Sequence, residues 1–256
     1  MMLVAERHRR IVYKLHGTGV VSTEDLAQSL SVSHETIRRD LAVLEKRGLL
    51  SRVHGGATSP LPLPPGEEPP FAERANVASE AKERIGQAAA SLLEPGQFVV
   101  LDVGTTALSV ARAIPSDFRG TVATNSLLVA IELSNHPNVV VHVAGGRLRG
   151  GDMALSNSNA QNFFRDLHPD IAFLGSGGID AAAGLTDYYL EEAAARKVII
   201  QNSAVSYVLA DSSKFGRVAR HRVAGLQELT GLITDSEPPA TIREALEKSG
   251  GVTIIA

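Results

Sequence analysis

The sequence predicts an α/β protein in two parts: a small helical unit closed by a β-ribbon, then a larger unit built on a mostly parallel sheet. Three observations carry this reading. From residue 98 onward, apolar runs of three to five residues alternate with stretches of helical composition, the pattern of strands buried on both faces. The first sixty residues show three successive helical patterns instead, each with its own cap or stop. Between them, residues 58–70 hold six of the twelve prolines, a composition that stays extended and semi-rigid. The divisions are therefore 1–57, a linker over 58–70, and 71–256.

Charge follows the same division. Residues 1–60 carry nine Lys/Arg against six Asp/Glu and four histidines, whereas the rest carries 16 against 22. A small basic unit on an acidic body points to an anionic partner for the first sixty residues only. The absence of cysteine rules out disulfides and zinc–thiolate sites and fits a reducing cytoplasm. No stretch approaches the ~20 apolar residues that span a bilayer, and the charged N-terminus lacks a signal-peptide core. A cytoplasmic protein with no membrane partner is expected.

In the first unit, Leu3, Val4, Ile11, Val12 and Leu15 recur at helical spacing until Gly17-Thr18-Gly19. Ser22 caps a second helix, with Asp25 placed to answer it, and Leu26, Ala27 and Leu30 form its buried side. Ser33 caps a third helix that runs to about Arg47 and is stopped by Gly48. There Ile37, Leu41 and Leu44 fall on one stripe, leaving Glu35, Arg39, Ala42 and Lys46 opposite, flanked by His34 and Arg38 and by Thr36. Residues 49–56 then read as a two-stranded ribbon with a basic tip. Two short helices, a tight turn, a polar third helix and a basic ribbon make a winged helix-turn-helix, whose third helix enters the DNA major groove. Arg39, Thr36, Glu35 and His34 are the candidate base readers. Ser33, Arg38, Arg52 and His54 are the candidate phosphate or groove contacts.

In the body, one helix is expected over 72–93, ended by Pro95-Gly96. Strands follow at 98–101, 121–123, 139–143, 171–174, 205–209, 231–234 and 252–255. Helices fall near 105–114, 126–135, 157–167, 188–201 and 239–249. Ligands of such sheets bind beyond the carboxyl ends of the strands, where polar residues and glycines collect. The first strand ends in Asp102-Val103-Gly104-Thr105-Thr106 and opens a helix, whose unpaired N–H groups and dipole suit a phosphate or carboxylate. Alone, that turn is also an ordinary βα connection. Four further polar strand ends accompany it: Thr124-Asn125-Ser126, the segment from Gly145-Gly146 through Arg147 to Arg149, the segment from Gly175 through Gly177 and Gly178 to Asp180 with Gly184–Asp187, and Asp211–Phe215. Five on one rim make a site. Glycines admit a ligand, hydroxyls and Asn bond sugar oxygens, and Lys214, Arg147 or Arg149 supply positive charge.

On these motifs the chain resembles the DeoR family of bacterial transcription regulators. The resemblance rests on Val32–Leu41 and Gly48–Ala57 in the first unit. In the body it rests on Asp102–Thr106, Thr124–Ser126, Gly145-Gly146, Phe173–Asp180, Gly184–Thr186 and Asp211–Phe215. It implies a Rossmann-like sensor domain, similar to ribose-5-phosphate isomerase, that binds phosphorylated sugars. It further implies that Gly104, Thr105 and Thr106 hold the phosphate and that Asp102, Asn125, Gly146, Gly177, Glu192 and Lys214 surround the sugar. Two departures stand out: Arg196 replaces the family's usual Lys, and Asn157 replaces a usual Gly. Arg147 and Arg196 complete the candidate effector set.

The competing expectation is an active sugar-phosphate isomerase with a DNA-binding head. Aldose–ketose isomerisation needs a carboxylate base beside the reacting carbons and a second proton carrier. The loop Gly175-Ser176-Gly177-Gly178 supplies neither, and Glu192 is a lone carboxylate. The expectation is therefore a non-catalytic repressor without metal or cofactor. It would act as a homo-oligomer on operator DNA and be released by a phosphorylated sugar.

Overall fold

The computed structural model describes residues 3–18, 20–47, 49–53, 55–58 and 67–256. The chain divides into two compact units, Met1–Glu73 and Arg74–Ala256.

The first unit runs α1 (Val4–Thr18), β1 (Val20–Ser22), α2 (Thr23–Leu30), α3 (His34–Lys46), β2 (Ser51–Val53) and β3 (Gly56–Thr58). Its apolar stripes meet in one core containing Ile11 and Leu15 of α1, Leu26 and Leu30 of α2, and Ile37, Leu41 and Leu44 of α3. Ser22 accepts the Asp25 amide at 2.9 Å and Ser33 that of Thr36 at 3.1 Å, so both expected caps are present. Between the two helices Ser31 turns the chain with a left-handed φ of 53°. The ribbon has three strands rather than two, in the order β1-β3-β2. The run Val20-Val21, read only as a lead into α2, pairs antiparallel with β3.

In the second unit the expected single helix over 72–93 is two. These are α4 (Phe71–Asn76), which spans the change of unit, and α5 (Ser79–Ala90), with Ala78 between them at φ 52°. Helical periodicity does not register a one-residue reversal of φ. There follow β4 (Phe98–Leu101), α6 (Thr105–Ala113), β5 (Gly120–Thr124), α7 (Leu127–Leu133), β6 (Val139–Val143), β7 (Arg147–Arg149), β8 (Ala154–Ser156) and α8 (Ser158–Arg165). The chain continues through β9 (Ile171–Leu174), β10 (Gly178–Asp180), β11 (Gly184–Asp187), α9 (Leu190–Asn202), β12 (Val205–Leu209), β13 (His221–Ala224), β14 (Gly231–Thr234), α10 (Ala240–Glu247) and β15 (Val252–Ile255).

Seven strands form the main sheet in the order β15-β14-β12-β9-β4-β5-β6, and every pairing in it is parallel. Alternate residues of the central strands feed opposite faces. Val100, Ala172, Leu174 and Val208 enter one core, while Val99, Leu101, Phe173 and Leu209 enter the other. This two-sided burial is why the strands read as continuous apolar runs. The short elements were not expected: the β7–β8 hairpin, and a small antiparallel sheet of β10, β11 and β13. These strands are interrupted by glycine, charged and hydroxyl residues, so no apolar run marks them as it marks the equally short strands of the main sheet.

The strand order reverses between β4 and β9. From β4 the chain proceeds to β5 and β6, then returns to the other side of β4 and continues outward. A crevice opens at such a switch point, beyond the carboxyl ends of the two strands. Here those ends are Leu101-Asp102 and Leu174-Gly175.

Candidate functional site

The candidate DNA-reading face lies on α3. His34, Glu35, Arg38 and Arg39 are exposed, opposite the buried Ile37, Leu41 and Leu44. Arg39 Nε donates to Glu35 Oε1 at 3.2 Å one turn earlier, a surface pair weak enough to open toward a base edge. Ser33 and Thr36 are engaged with each other at the cap, their hydroxyl oxygens 2.9 Å apart. His34, Arg38 and Arg52 line one groove together with Thr23 and Val53. Arg52 is steadied by Glu45, which accepts its backbone N–H at 2.9 Å. His54 and the helix stop at Gly48 lie outside the described residues, as does much of the linker.

What fixes α3 in place was not read from the sequence. Asp40, only 5 % exposed, accepts from Arg7 Nε at 2.5 Å and Nη2 at 3.1 Å, and lies 2.9 Å from His8 Nε2. A bidentate guanidinium and an imidazole on α1 thus clamp one carboxylate on α3. Burial pushes the Asp40 carboxyl up, but the Arg7 and His8 contacts outweigh it and hold the group below its ordinary range. The signal was present in the sequence: His8 sits at i−3 from Ile11 and i−7 from Leu15, on the apolar side of α1.

The second candidate site is the rim at the switch point. Gly104 caps α6 with φ 120° and no side-chain cap, and a Cβ built there meets nothing within 4 Å. A non-glycine residue is strained at that φ. Leu108 is the first residue of the turn to close onto Gly104 O, at 3.1 Å, so the amides of Thr105, Thr106 and Ala107 are the orphan donors of the helix start. Thr105 and Thr106 are half-buried. Beside them, on β5's end, Asn125 donates to Leu155 O at 3.3 Å, while its Oδ1 is buried with no hydrogen-bond partner.

The remaining candidates separate into two groups. Gly146 and Gly177 are places of close backbone approach: a Cβ would come within 2.6 Å of Ser156 O or 2.9 Å of Thr186 O. Arg147 is exposed on the β7–β8 hairpin and donates to Glu191 at 2.8 Å. Lys214, half-buried, closes a short 3-10 turn after β12. Asp180 accepts the amides of Ala182 and Ala183, an Asx turn residue. Asn157 explains its own departure. It caps α8 at φ 109° and accepts the Asn159 amide at 2.8 Å, the left-handed setting for which Gly is usual and Asn the best-tolerated substitute.

Asp102, Glu192 and Arg196 lie beneath the rim in a buried ion cluster. Arg196, 3 % exposed, donates from Nε to Asp102 Oδ2 at 2.5 Å and from Nη1 to Asp187 Oδ2, with Glu192 at 3.6 Å from Nη2. Asp102 Oδ2 also accepts the Gly175 amide at 2.9 Å, joining the ends of β4 and β9. Glu192 pairs in addition with Arg149, which is held by Asp152 and lies 3.6 Å over the Tyr189 ring. Arg74 reaches Asp152 at 3.5 Å. Burial pushes the Glu192 carboxyl up to about 8, against the pull of Arg196 and with a further push from Asp187. At neutral pH Glu192 is therefore largely protonated, and three guanidinium groups face three carboxylates, an electrically balanced set. A planar fork that reaches β4, β11 and α9 at once needs Arg rather than Lys.

Comparison with known proteins adds two family matches that together cover most of the chain. Residues 7–62 match the DeoR-like helix-turn-helix domain and residues 77–236 the DeoR C terminal sensor domain. The HTH-type transcriptional regulator GlpR of Haloferax volcanii is 39% identical over 99% of this chain and 98% of its own. The glycerol-3-phosphate regulon repressor of Escherichia coli is 33% identical over 96% of each. Among solved structures, ribose 5-phosphate isomerase A of Methanocaldococcus jannaschii is similar over 54% of this chain and 55% of that one. Its identity is 16% and its TM-score 0.40, too distant to carry a functional argument.

Proposed function

The chain belongs to the DeoR family of transcriptional regulators, and we propose that it represses a sugar or carbohydrate catabolism operon and is released by a phosphorylated sugar. One juxtaposition carries this reading. An exposed basic helix with a groove lined by His34, Arg38 and Arg52 precedes a glycine-capped, anion-suited helix start in the same chain. The relatives' printed names, one of them a glycerol-3-phosphate regulon repressor, point the same way.

In this proposal Arg39, Glu35, Thr36 and His34 face base edges, and Ser33, Arg38, Arg52 and His54 face the backbone. Gly104, Thr105 and Thr106 hold the phosphate through amides and hydroxyls, with Asn125 and Lys214 beside the sugar. Gly146, Gly177 and Arg147 shape the rim, and Asp102, Glu192 and Arg196 support it from below. The protein works as a homo-oligomer that presents two heads to a repeated or inverted operator. The effector acts by binding one arrangement of the oligomer more tightly than the other.

The protein is not an isomerase in this reading. Asp102, Asp187 and Glu192 are engaged by Arg196, and Asp180 is engaged by its own turn. Glu192 Oε1 and Asp211 Oδ2 lack a hydrogen-bond partner among the described residues, but Glu192 is paired with Arg149 and Arg196, and isomerisation needs a second group to move protons between oxygens. Incubating the full-length protein with ribose 5-phosphate and fructose 6-phosphate tests this; turnover above a buffer control overturns the repressor reading.

The sensor is tested by thermal shift of the full chain against ribose 5-phosphate, fructose 6-phosphate and glycerol 3-phosphate, since a ligand of the native state raises its melting temperature. With a hit in hand, Thr105→Ala combined with Thr106→Ala is expected to leave operator binding unchanged and abolish the ligand response. An undiminished response places the ligand elsewhere. Arg39→Ala is expected to weaken operator binding about 10- to 100-fold, or roughly 1–3 kcal/mol, and to relax the preference at one base position. Binding measured on an operator selected from random DNA decides it: uniform loss across all sequences reassigns Arg39 to the backbone.

A further inference from the structure

We propose that the free edge of β6 is where two copies of this chain join, strand against antiparallel strand about a two-fold axis at Val141. The main sheet then runs on from one protomer into the other. The inference rests on the homo-oligomer proposed above and names the surface that makes it.

Strand β6 closes the main sheet at one end and pairs on one side only, with β5. In that ladder the Gly120 N–H donates to Asn138 O at 3.3 Å and the Ala144 N–H to Thr124 O at 2.8 Å. Along a strand the backbone groups of successive residues point to alternate sides. The even-numbered residues from Asn138 to Ala144 therefore face β5. Val139, Val141 and Val143 turn both N–H and C=O outward, and among the described residues no group bonds them there.

A free sheet edge is a template for another strand, and proteins that keep such an edge unpaired blunt it with charge, proline or a covering element. Strand β6 has none of these along its length. Residues 133–146 contain no Asp, Glu, Lys or Arg in a chain that is 21% charged, a share that would place about three there. Pro137 stands before the strand, not within it. Helix α7 covers one face, where Val129 and Leu133 share a core with Val139 and Val141. The other face is bare: Val140 is 58 % exposed and His142 is exposed beside it. The opposite edge strand differs, because Arg84 stands at the end of β15 and donates to Ala256 O at 3.3 Å.

The occupant that fits is the same strand from a second copy. Laid antiparallel on itself, β6 sets Val141 against Val141 of the second copy and Val139 against Val143. Every outward donor then meets an outward acceptor, with none left over. On the bare face Val140 comes beside His142 of the second copy, so apolar surface is covered without bringing like charges together. A nucleic acid or an acidic peptide would find no cation here. The contact is isologous, so it closes at two copies and leaves no β6 edge for a third. A five-residue strand pair alone falls short of the roughly 1,200 Å² that a specific interface buries. The flanking apolar groups supply the rest, among them Val143 and Ile131 of α7, the latter 62 % exposed.

The test uses full-length protein, followed by sedimentation velocity over a dilution series and by hydrogen exchange resolved to single amides. Wild type is expected to sediment as an even-numbered oligomer, with the amides of Val139, Val141 and Val143 slow to exchange. Val140→Lys puts a like charge on the bare face of both copies. Val141→Pro removes the central outward N–H, a loss that pairing with β5 tolerates because that N–H faces away from it. Each is expected to weaken association at least ten-fold, and in Val140→Lys the amides at 139, 141 and 143 become fast. The amides of Val140 and His142, bonded to β5, stay slow in wild type and in Val140→Lys, and report that the sheet itself is intact. An oligomer that survives both folded variants overturns the edge and leaves the homo-oligomer standing, as does an assembled wild type whose amides at 139, 141 and 143 exchange fast. A wild type that is monomeric at every concentration overturns both. Should neither variant fold, the wild-type exchange pattern decides alone.

Discussion

Arg196→Met is expected to destabilise the sensor unit by about 3–5 kcal/mol, because it leaves buried carboxylates without their cation. Met approximates the volume, so cavity formation contributes little. The loss comes from Asp102 and Asp187, which face each other beneath the rim once the guanidinium between them is gone. Arg196→Lys is expected to recover only part of it, since one ammonium cannot fork to Asp102 and Asp187 together. Glu192 sets the pH dependence. Its folded carboxyl sits near 8, against 4.5 for the free group, so the folded state holds more protons than the unfolded one between those values. Stability should therefore fall as pH rises from about 4.5 to 8. Denaturant unfolding of wild type and both variants at pH 6 and 8 measures this. A loss below 1 kcal/mol in Arg196→Met would falsify the view that the cluster holds the rim.

The cluster also shows where sequence reading stops. The central strands β4 and β9 were legible because two-sided burial writes each as an uninterrupted apolar run, the edge strands β6 and β15 because β-branched residues dominate them, and the polar strand ends stood out against those runs. The caps at Ser22 and Ser33 were legible because an N-cap is a local event, decided within three residues. The break at Ala78 was not, since alanine is the best helix former and only the folded backbone, with its φ of 52°, reveals the reversal. Lys82, buried on α5, was not singled out. Its burial depends on α5 meeting α6 at Gly86, a contact that no periodicity encodes. Arg196 was placed near the ligand for its motif position. The structure buries it between two carboxylates beneath the rim, because Asp187 and Asp102 lie 85 residues apart and meet only when the sheet folds. Local chemistry was readable; convergence was not.

The same distinction sets the second large effect, in the first unit. Asp40→Ala is expected to lower its stability by about 3–5 kcal/mol, because the guanidinium of Arg7, 7 % exposed, then remains buried with its carboxylate gone. Operator binding should fall with it, although Asp40 is itself buried against Arg7 and His8 of α1. The recognition face is rigid only while α3 keeps its register on α1, and the Arg7–Asp40–His8 clamp is the polar lock on that register. Asp40→Asn is the sharper variant, since it keeps the shape, removes the charge and leaves one oxygen to accept. Its loss should lie between wild type and Ala. The pH sign is opposite to that of Glu192. The folded carboxyl of Asp40 lies below its ordinary 3.8, so its contribution is fully present above that value and is lost as pH falls through the folded one. Acid unfolding should therefore start at a higher pH in Asp40→Asn than in wild type. Circular dichroism of residues 1–73, followed from pH 6 to 2, separates the cases. If that fragment does not fold alone, hydrogen exchange on α3 amides in the full chain gives the same comparison. Equal acid profiles for wild type and Asp40→Asn would mean that Ile37, Leu41 and Leu44 alone hold α3, and that the clamp contributes nothing to reading DNA.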